Sequence, residues 1–205
     1  MTAARGRFIA FEGGEGCGKS TQAARLATAL DAVLTREPGA TTVGSAIRAL
    51  LLDPATGPVD PRTEALLMAA DRAQHVAEVV RPALAGGRHV VTDRYAGSSL
   101  AYQGFGRGLP VDEVRRLTAW GTEDLWPDLV ILLVVPAEVA ALRLGEDLDR
   151  FEQEGDGFHA RVEDGFRWLA DDDPERWAVV DGTAPPDEVA AAVALVVAER
   201  LQLAG

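Results

Sequence analysis

A glycine-rich stretch near the start of the chain most constrains what the chain can fold into. It follows the apolar run Phe8–Phe11 and reads Gly-Gly-Glu-Gly-Cys-Gly-Lys-Ser over residues 13–20. The spacing matches G-x-x-x-x-G-K-[ST], and a helical pattern follows it, which is the strand, loop and helix context that the motif requires. The glycines let backbone N–H groups and the positive end of the helix face phosphate oxygens. The stretch therefore predicts an α/β fold with a nucleoside triphosphate site.

Two residues at the end of this motif have specific predicted tasks. Lys19 is expected to reach the β- and γ-phosphates, and the Ser20 hydroxyl is expected to ligate Mg²⁺. Lys19 is the only lysine among the 20 basic residues, which indicates that a lysine is needed at this position. The predicted triphosphate-binding residues are Gly13, Gly14, Glu15, Gly16, Cys17, Gly18, Lys19, Ser20 and Thr21.

Further β-prone runs alternate with helical patterns along the chain. Including the first run, the predicted strands are Phe8–Phe11, Ala32–Thr35, His89–Thr92, Leu129–Val135 and Trp177–Val180. The fourth is apolar throughout, as in a central parallel strand covered on both faces. We expect a three-layer P-loop NTPase fold, with a five-stranded parallel sheet flanked by helices. The 205 residues are predicted to form one domain, with a charged segment at about 143–157 as a short mobile lid.

The composition excludes several classes of partner. With 32 acidic and 20 basic residues the formal net charge is −12, which disfavours nucleic acid and anionic membranes. The longest apolar stretch, Leu129 to Ala137, is too short to span a bilayer, and the N-terminus lacks a signal-peptide pattern. A single cysteine excludes an internal disulfide, and three scattered histidines fit no metal-ligand spacing. We expect a cytoplasmic protein.

The third predicted strand leads into a second charged site. Asp93 directly follows this strand and is placed to organise Mg²⁺, directly or through water. Its neighbour Arg94 is placed to clamp a second phosphate group. An ion pair at the end of a surface strand is the other interpretation of these two residues. The nearby phosphate loop favours the first interpretation.

From this point the sequence resembles a known family. Residues 91–103 read Val-Thr-Asp-Arg-Tyr-Ala-Gly-Ser-Ser-Leu-Ala-Tyr-Gln and resemble the signature of the thymidylate kinases. Other segments recur in that family in the same order: Phe11–Gln22, Thr35–Gly39, Ile47–Arg48, Glu64–His75, Asp149–Glu152 and Phe158–Val162. The resemblance runs from about Phe8 to Asp181. It implies transfer of the γ-phosphoryl group of ATP to dTMP with Mg²⁺, and a homodimer built on helices such as the predicted helix Thr63–Leu84.

The resemblance also assigns residues to the phosphate and sugar of dTMP. Arg94 and Arg48 would hold the dTMP phosphate. Glu15, inside the phosphate loop, would meet the 3′-hydroxyl, and Tyr102 would pack near the deoxyribose and help to exclude a 2′-hydroxyl. Because the acceptor phosphate is already anionic, the reaction needs cations and alignment but no general base.

Four more residues are assigned to the base by resemblance. Arg72 would donate to the O4 edge of thymine, and Ser99 and Gln103 would hydrogen-bond the base or nearby water. Met68 replaces the phenylalanine usual in the family, and a thioether can still pack on a pyrimidine face. Met68 and Arg72 are four residues apart on a predicted helix, so they share a face.

The lid is expected to supply a catalytic cation. Family members without arginine in the phosphate loop generally supply it from the lid, and Gly16 occupies that loop position here. The candidates are Arg143 and Arg150, and the Asp-Arg-x-Glu context favours Arg150. The predicted catalytic residues are Lys19, Arg94, Arg150 and Glu15, and the two lid arginines are also predicted to bind ATP.

Three other functions fit parts of the pattern. A kinase of another pyrimidine nucleoside monophosphate could use the same architecture. A deoxynucleoside kinase would need a carboxylate base, which Glu37 or Glu12 could supply. A P-loop switch protein is the third, although no guanine-reading Asn-Lys-x-Asp motif is present.

Overall fold

One parallel sheet organises the chain. In the computed structural model, which describes residues 5–143, 145 and 149–203, five parallel strands have the spatial order β2-β3-β1-β4-β5. The strands are β1 (Phe8–Glu12), β2 (Val33–Arg36), β3 (Val90–Asp93), β4 (Leu129–Val134) and β5 (Trp177–Asp181). The prediction of a three-layer α/β fold with five parallel strands is confirmed, and no strand end shifts by more than one residue.

The two faces of the sheet carry separate apolar layers. Phe8 and Ala10 of β1 pack into one layer, and the alternate residues Ile9 and Phe11 pack into the other. All five residues of β1 are buried, because this strand lies between β3 and β4 and is covered by helices on both faces. Loops at the carboxyl ends of the central strands are where ligands bind in open sheets of this kind.

The helices cover both faces of the sheet. They are α1 (Lys19–Ala29), α2 (Thr42–Leu52), α3 (Pro61–His75), α4 (Arg81–Ala85), α5 (Ala96–Ser99), α6 (Val111–Thr122), α7 (Ala137–Arg143), α8 (Asp156–Asp172) and α9 (Pro186–Leu201). A 3₁₀ turn lies at Pro54–Thr56. In the part of the chain that the structure describes, no helix is both long and apolar enough to cross a membrane.

The predicted helix Thr63–Leu84 is interrupted in the structure. A π-helical segment, Val76–Val80, joins α3 to α4. Proline at position 82 lacks an N–H group and its ring crowds the carbonyl four residues earlier, so a wider turn accommodates it. At its other end α3 begins at Pro61 and is capped by Asp60, whose carboxylate accepts from Arg62 N at 2.9 Å.

A helical segment that the sequence pattern did not predict carries part of the site. Helix α5 continues into a π-helical segment, Leu100–Gly106. Its glycines disfavour a helix on propensity alone. A Cβ atom on Gly97 would lie 2.8 Å from Glu12 Oε1, and one on Gly106 would lie 2.7 Å from the Phe158 ring. Close packing therefore requires glycine at both positions.

The lid prediction falls partly outside the described residues, at 144 and 146–148. In the described part, Arg150 N donates to Leu52 O at 3.0 Å, so the segment lies against the end of α2. Helix α8 then begins at Asp156.

Candidate active site

One pocket brings together the residues predicted to bind the acceptor. Its lining contains the whole predicted set: Glu15, Arg48, Met68, Arg72, Arg94, Ser99, Tyr102 and Gln103. They come from the phosphate loop, α2, α3, the end of β3 and the segment from α5 to Gly106. We call this the acceptor pocket. Its formation shows that residues spread over 89 positions of sequence have one common location.

The phosphate loop adopts the conformation that its glycines allow. Gly13, Gly16 and Gly18 all have positive φ, at 142°, 68° and 93°. Such angles are costly for residues with a side chain. The loop ends at Lys19, the first residue of α1, whose Nζ donates to Gly14 O at 2.9 Å and lies 3.5 Å from Glu15 Oε2.

Glu15, Arg94 and Tyr102 form a charged cluster between the loop and the acceptor pocket. Arg94 Nη2 donates to Glu15 Oε1, and Tyr102 OH donates to the same oxygen at 2.9 Å. The Arg94 guanidinium also lies over the Tyr102 ring, 5.1 Å from its centroid. Burial alone would raise the pKa of Glu15, but the charges of Arg94 and Lys19 outweigh burial and hold that pKa well below its usual range.

Arg94 is held in place by its backbone as well as its side chain. Its φ of 70° is unusual for arginine, and its N–H donates to Phe11 O at 2.9 Å. Its Nη1 donates to Gly13 O at 3.1 Å and to Ser98 Oγ at 3.0 Å. The guanidinium is thereby fixed beside the phosphate loop, where a second phosphate group can meet it.

The buried carboxyl group of Glu12 holds the backbone that follows Arg94. Its Oε1 accepts from the backbone N–H groups of Tyr95 and Ser98, each at 3.0 Å. Its Oε2 accepts from Ser98 Oγ at 2.6 Å. Burial raises the pKa of Glu12 to about 7. Because its oxygens are occupied and it is not exposed, Glu12 fixes the turn after β3 and is not positioned to deprotonate a substrate.

At the other end of the acceptor pocket, Arg72 has one open donor. Its Nε donates to Glu37 Oε2 at 2.7 Å, and its Nη2 donates to Tyr95 O and Ser99 Oγ, both at 3.0 Å. Its Nη1 is buried and has no partner among the described residues. Burial would lower the pKa of Arg72, but Glu37 outweighs burial and raises it, so the guanidinium is charged.

Gln103 provides an open acceptor in the same pocket. Its Nε2 donates to Glu64 Oε1 at 3.0 Å. Because an ionised carboxylate only accepts hydrogen bonds, this contact fixes which end of the amide is nitrogen. The Gln103 Oε1 atom is buried and, within the described residues, has no partner. The pocket thus contains one unpaired donor and one unpaired acceptor.

Ser20 and Asp93 meet beside the phosphate loop, as predicted for a metal site. Ser20 Oγ donates to Asp93 Oδ2 at 2.5 Å. The Asp93 Oδ1 atom is buried and lacks a partner among the described residues. In the described ranges no group of three or more His, Cys, Asp or Glu residues could hold a metal ion. Two oxygen ligands and an open lone pair fit Mg²⁺, which binds through few carboxylates and keeps waters or phosphates.

Several pocket residues were not among the sequence predictions. Pro38, Leu52, Tyr95, Ser98 and Phe151 complete the acceptor wall. Phe151 lies edge to face against the Tyr102 ring, with centroids 5.7 Å apart. Charged Glu37 and Asp149 also line the pocket. The sequence analysis names Glu37 only as a candidate base, and its place in the segment Thr35–Gly39, which resembles the family, was the available signal.

The lid arginine Arg150 lies away from the phosphate loop. Its Nε donates to Leu51 O at 2.7 Å, and its Nη2 forms an ion pair of 2.7 Å with Glu64 Oε2. Glu64 is fully buried and is paired with Arg107 as well, at 3.1 Å. If Arg150 moved away, the Glu64 carboxylate would still be paired with Arg107.

The other lid candidate, Arg143, lies at the phosphate loop. Its Nη1 and Nη2 atoms donate to Gly182 O, both at 3.1 Å, and its Nη1 reaches Gly16 O at 3.5 Å. It thus joins the loop to the turn after β5. Arg48, on the acceptor side, donates to Pro38 O at 2.9 Å.

A second cavity of about 300 Å³ lies on the far side of Glu15 and Tyr102. Apolar residues of β4, α7 and α8 form most of its walls. Its polar lining includes five acidic residues: Glu15, Glu152, Glu154, Asp156 and Glu163. Carboxylates repel a polyphosphate, and Lys19, Ser20 and Asp93 do not line this cavity.

Comparison with known proteins places the chain in a well-populated group. The family model for thymidylate kinase matches residues 11–193. The chain is 50% identical to thymidylate kinase of Leifsonia xyli subsp. xyli over 196 aligned residues, and this alignment covers 92% of each protein. It is 46% identical over 196 residues to that of Desulfovibrio desulfuricans, which covers 89% of this chain and 90% of that protein. The crystal structure of thymidylate kinase from Ehrlichia chaffeensis superposes with a TM-score of 0.79 and 30% identity, over 97% of this chain and all of that one.

Proposed function

The chain belongs to the thymidylate kinase family, and we propose that its acceptor pocket selects dTMP by an unpaired donor and an unpaired acceptor. Membership implies the activity: the chain is an ATP-dependent kinase that transfers the γ-phosphoryl group to dTMP, giving dTDP and ADP. The single observation that carries the residue assignment is the convergence of the eight predicted acceptor residues on one pocket.

The two open atoms complement thymine. Thymine presents O4, an acceptor, next to N3–H, a donor. Arg72 Nη1 and Gln103 Oε1 supply the opposite functions. Cytosine presents a donor at N4 and an acceptor at N3, so both contacts would fail and two buried polar atoms would stay unpaired. Such a mismatch costs several kcal/mol, roughly 1–3 for each unsatisfied group.

The phosphoryl transfer itself follows from the cations around the phosphate loop. Arg94 and Arg48 hold the acceptor phosphate, and Lys19 faces the β- and γ-phosphates. Glu15, kept ionised by Arg94 and Lys19, accepts from the 3′-hydroxyl. The reaction needs alignment and neutralised charge, and Arg94 and Lys19 lie at the phosphate loop to supply both.

The deoxynucleoside alternative is disfavoured by the two carboxylates it would need. The Glu12 oxygens are occupied by Ser98 and Tyr95. Glu37 is bound by Arg72 through one oxygen and by His75 through the other. Neither carboxylate is free to take a proton from a sugar hydroxyl.

Mg²⁺ would be held by Ser20 and Asp93. The open Asp93 Oδ1 atom and the Ser20 hydroxyl provide its oxygen ligands. Bound there, Mg²⁺ supplies charge neutralisation to the β- and γ-phosphates. Lys19 and the loop N–H groups orient the same oxygens from the other side.

Arg150 remains our candidate for the lid arginine that stabilises the transferring group. Its pairing with Glu64 is an ion pair that the protein can exchange, since Arg107 keeps Glu64 neutralised. Arg143 is proposed to contact the nucleotide base or ribose, because its guanidinium donates to both Gly16 O and Gly182 O.

We also propose a homodimer, and a cytoplasmic location stays a prediction. Helices α2, α3 and α6 lie side by side and carry exposed apolar side chains. Trp120 is 83% exposed and Leu66 is 57% exposed, and large exposed apolar groups on adjoining helices are typical of protein interfaces. Sedimentation velocity would give a species of twice 21.7 kDa if the proposal holds.

The proposed selectivity is tested with an ADP-release assay that uses ATP, Mg²⁺ and a panel of dTMP, dUMP, UMP, dCMP and thymidine. We expect dTMP to be preferred over dCMP by roughly 10³-fold in kcat/KM, since two mismatched contacts multiply. The variant Arg72→Met should lose most of that preference. Equal turnover of dCMP and dTMP by the unaltered enzyme would refute the assignment, and comparable turnover of dUMP would show that the 5-methyl group is not read.

A further inference from the structure

A buried chain of hydrogen bonds lies behind the base end of the acceptor pocket. His75 Nδ1 is 2.8 Å from Glu37 Oε1, and His75 Nε2 is 2.7 Å from Thr35 Oγ1. Glu37 Oε2 accepts from Arg72 Nε at 2.7 Å. His75 is fully buried, and Arg72 and Glu37 are nearly so, at 2% and 4% exposed. This series of hydrogen bonds therefore connects Thr35 of β2, through His75 at the end of α3 and Glu37, to the guanidinium of Arg72.

The direction of each proton in this chain can be deduced. The carboxylate of Glu37 is paired with Arg72 and can only accept, so His75 Nδ1 carries the hydrogen of that contact. With Nδ1 protonated in a neutral ring, Nε2 is an acceptor and Thr35 O–H donates to it. The Glu37 carboxylate thus fixes the hydrogen on Nδ1, and the Thr35 hydroxyl, which can donate or accept, satisfies Nε2.

This chain determines where the open nitrogen of Arg72 lies. A guanidinium is planar, so its Nη1 position is fixed once Nε and Nη2 are bound. Nη2 is bound by Tyr95 O and Ser99 Oγ, and Nε is bound by Glu37. Without His75, the Glu37 carboxylate would have one oxygen unbound and could rotate, and the plane of Arg72 would rotate with it.

We propose that His75 is a positioning residue for base selection: through Glu37 it holds the Arg72 guanidinium in the plane that suits a 4-oxo pyrimidine monophosphate. His75 acts without touching the substrate. The inference rests on the proposed role of Arg72 toward O4, and it adds that the selectivity depends on a residue outside the pocket wall.

The test compares three His75 variants by kcat and KM for dTMP, dUMP and dCMP, with the KM for ATP and the melting temperature measured alongside. His75→Leu removes both contacts. His75→Asn keeps a donor near the position of Nδ1, and His75→Gln places its donor nearer the position of Nε2. We expect His75→Leu to raise the KM for dTMP roughly tenfold, in line with a lost hydrogen bond to a charged group. Its preference for dTMP over dCMP should fall by a similar factor, while kcat and the KM for ATP change little.

Rescue by the conservative variant separates positioning from stability. His75→Asn should recover most of the base preference, and His75→Gln should not. If His75→Leu fails to fold, Thr35→Val carries the test, because it removes only the hydroxyl and leaves a side chain of the same shape. It should lower the dTMP-to-dCMP preference about two- to fivefold, and Thr35→Ser should leave that preference unchanged.

Each outcome supports or overturns a defined statement. If the His75 and Thr35 variants lose stability but keep the base preference of the unaltered enzyme, His75 is structural only and the inference is overturned. If Arg72→Met also keeps that preference, the proposed role of Arg72 is wrong as well. If Arg72→Met loses it while His75→Leu keeps it, only the present inference fails.

Discussion

The polar groups of the acceptor pocket and those on the triphosphate side of the phosphate loop differ in how completely other protein atoms pair with them. In the acceptor pocket, neighbouring protein groups fix Arg72 and Gln103, yet each keeps one atom open. On the triphosphate side, the cationic side chains already donate hydrogen bonds to protein oxygens. Lys19 is bound to Gly14 O and Arg143 to Gly182 O, while Glu64 holds the lid arginine Arg150 away from the loop.

The difference separates recognition from catalysis. A base can enter the acceptor pocket and pair with open atoms without displacing any protein contact, so selection is built into the resting fold. A triphosphate must take cations from carbonyl and carboxylate oxygens. That exchange is favourable because phosphate is the stronger acceptor, and the role proposed for Arg150 requires its side chain to leave Glu64 when ATP binds.

The largest test of this contrast concerns the two lid arginines. Arg150→Ala should lower kcat on the order of 10³-fold, because it removes charge from the transferring group. Arg143→Ala should instead raise the KM for ATP about tenfold, with a smaller change in kcat. Steady-state ADP release checks both, and Arg161→Ala, just beyond the lid, serves as the control. A kcat for Arg150→Ala within a few-fold of the unaltered enzyme would move the catalytic assignment away from Arg150.

The second test concerns how the buried carboxyl group of Asp71, next to Arg72 in α3, changes the free energy of unfolding with pH. Burial, and then the charge of Glu37, raises the pKa of Asp71 to about 6, above its ordinary 3.8. A carboxyl group whose pKa is raised by folding stabilises the protein fully below its unfolded pKa, and this contribution disappears as the pH rises through the folded value. The free energy of unfolding should therefore fall between about pH 4 and pH 7.

The variant Asp71→Asn isolates this contribution. Its amide oxygen can still accept from Gly39 N, now 2.9 Å from Asp71 Oδ1. Between pH 4 and pH 7 the variant should gain about 2–3 kcal/mol relative to the unaltered protein, as a shift of this size implies. Urea unfolding at several pH values measures the difference, and Asp112→Asn, on an exposed position, controls for the loss of one negative charge. Parallel curves would exclude Asp71 as the source.

The smallest expected effect concerns the face of the base. Met68 lines the acceptor pocket, and Met68→Phe should lower the KM for dTMP about two- to fivefold, because an aromatic face stacks on a pyrimidine better than a thioether does. Leu67→Phe, on the adjoining position of the same helix, is the matched control. A rise in the KM for dTMP would indicate that the pocket is too tight for a ring at this position.

The sequence predicted the phosphate loop and the sheet with good accuracy, because both depend on local patterns. The loop needs glycines at fixed spacing, and the strands are marked by short β-prone runs, four of which end at a charged residue. The segment from Ala96 to Gly106 was different. Its glycines argue against a helix, and its helical form depends on Glu12 and Phe158, which lie 84 or more and 52 or more residues away in the chain.

The composition and motifs alone determined the fold class, the phosphate loop and, through family resemblance, the set of acceptor residues. Only the tertiary structure decided which atoms of those residues are open. Distant segments pair with Arg72 Nε and Gln103 Nε2, whereas Arg72 Nη1 and Gln103 Oε1 have no hydrogen-bond partner in the described part of the chain. The same pairing places Arg150 on Glu64. A sequence names the groups that can bond, but the partners of a buried polar group depend on which segments the fold brings within 3 Å of it.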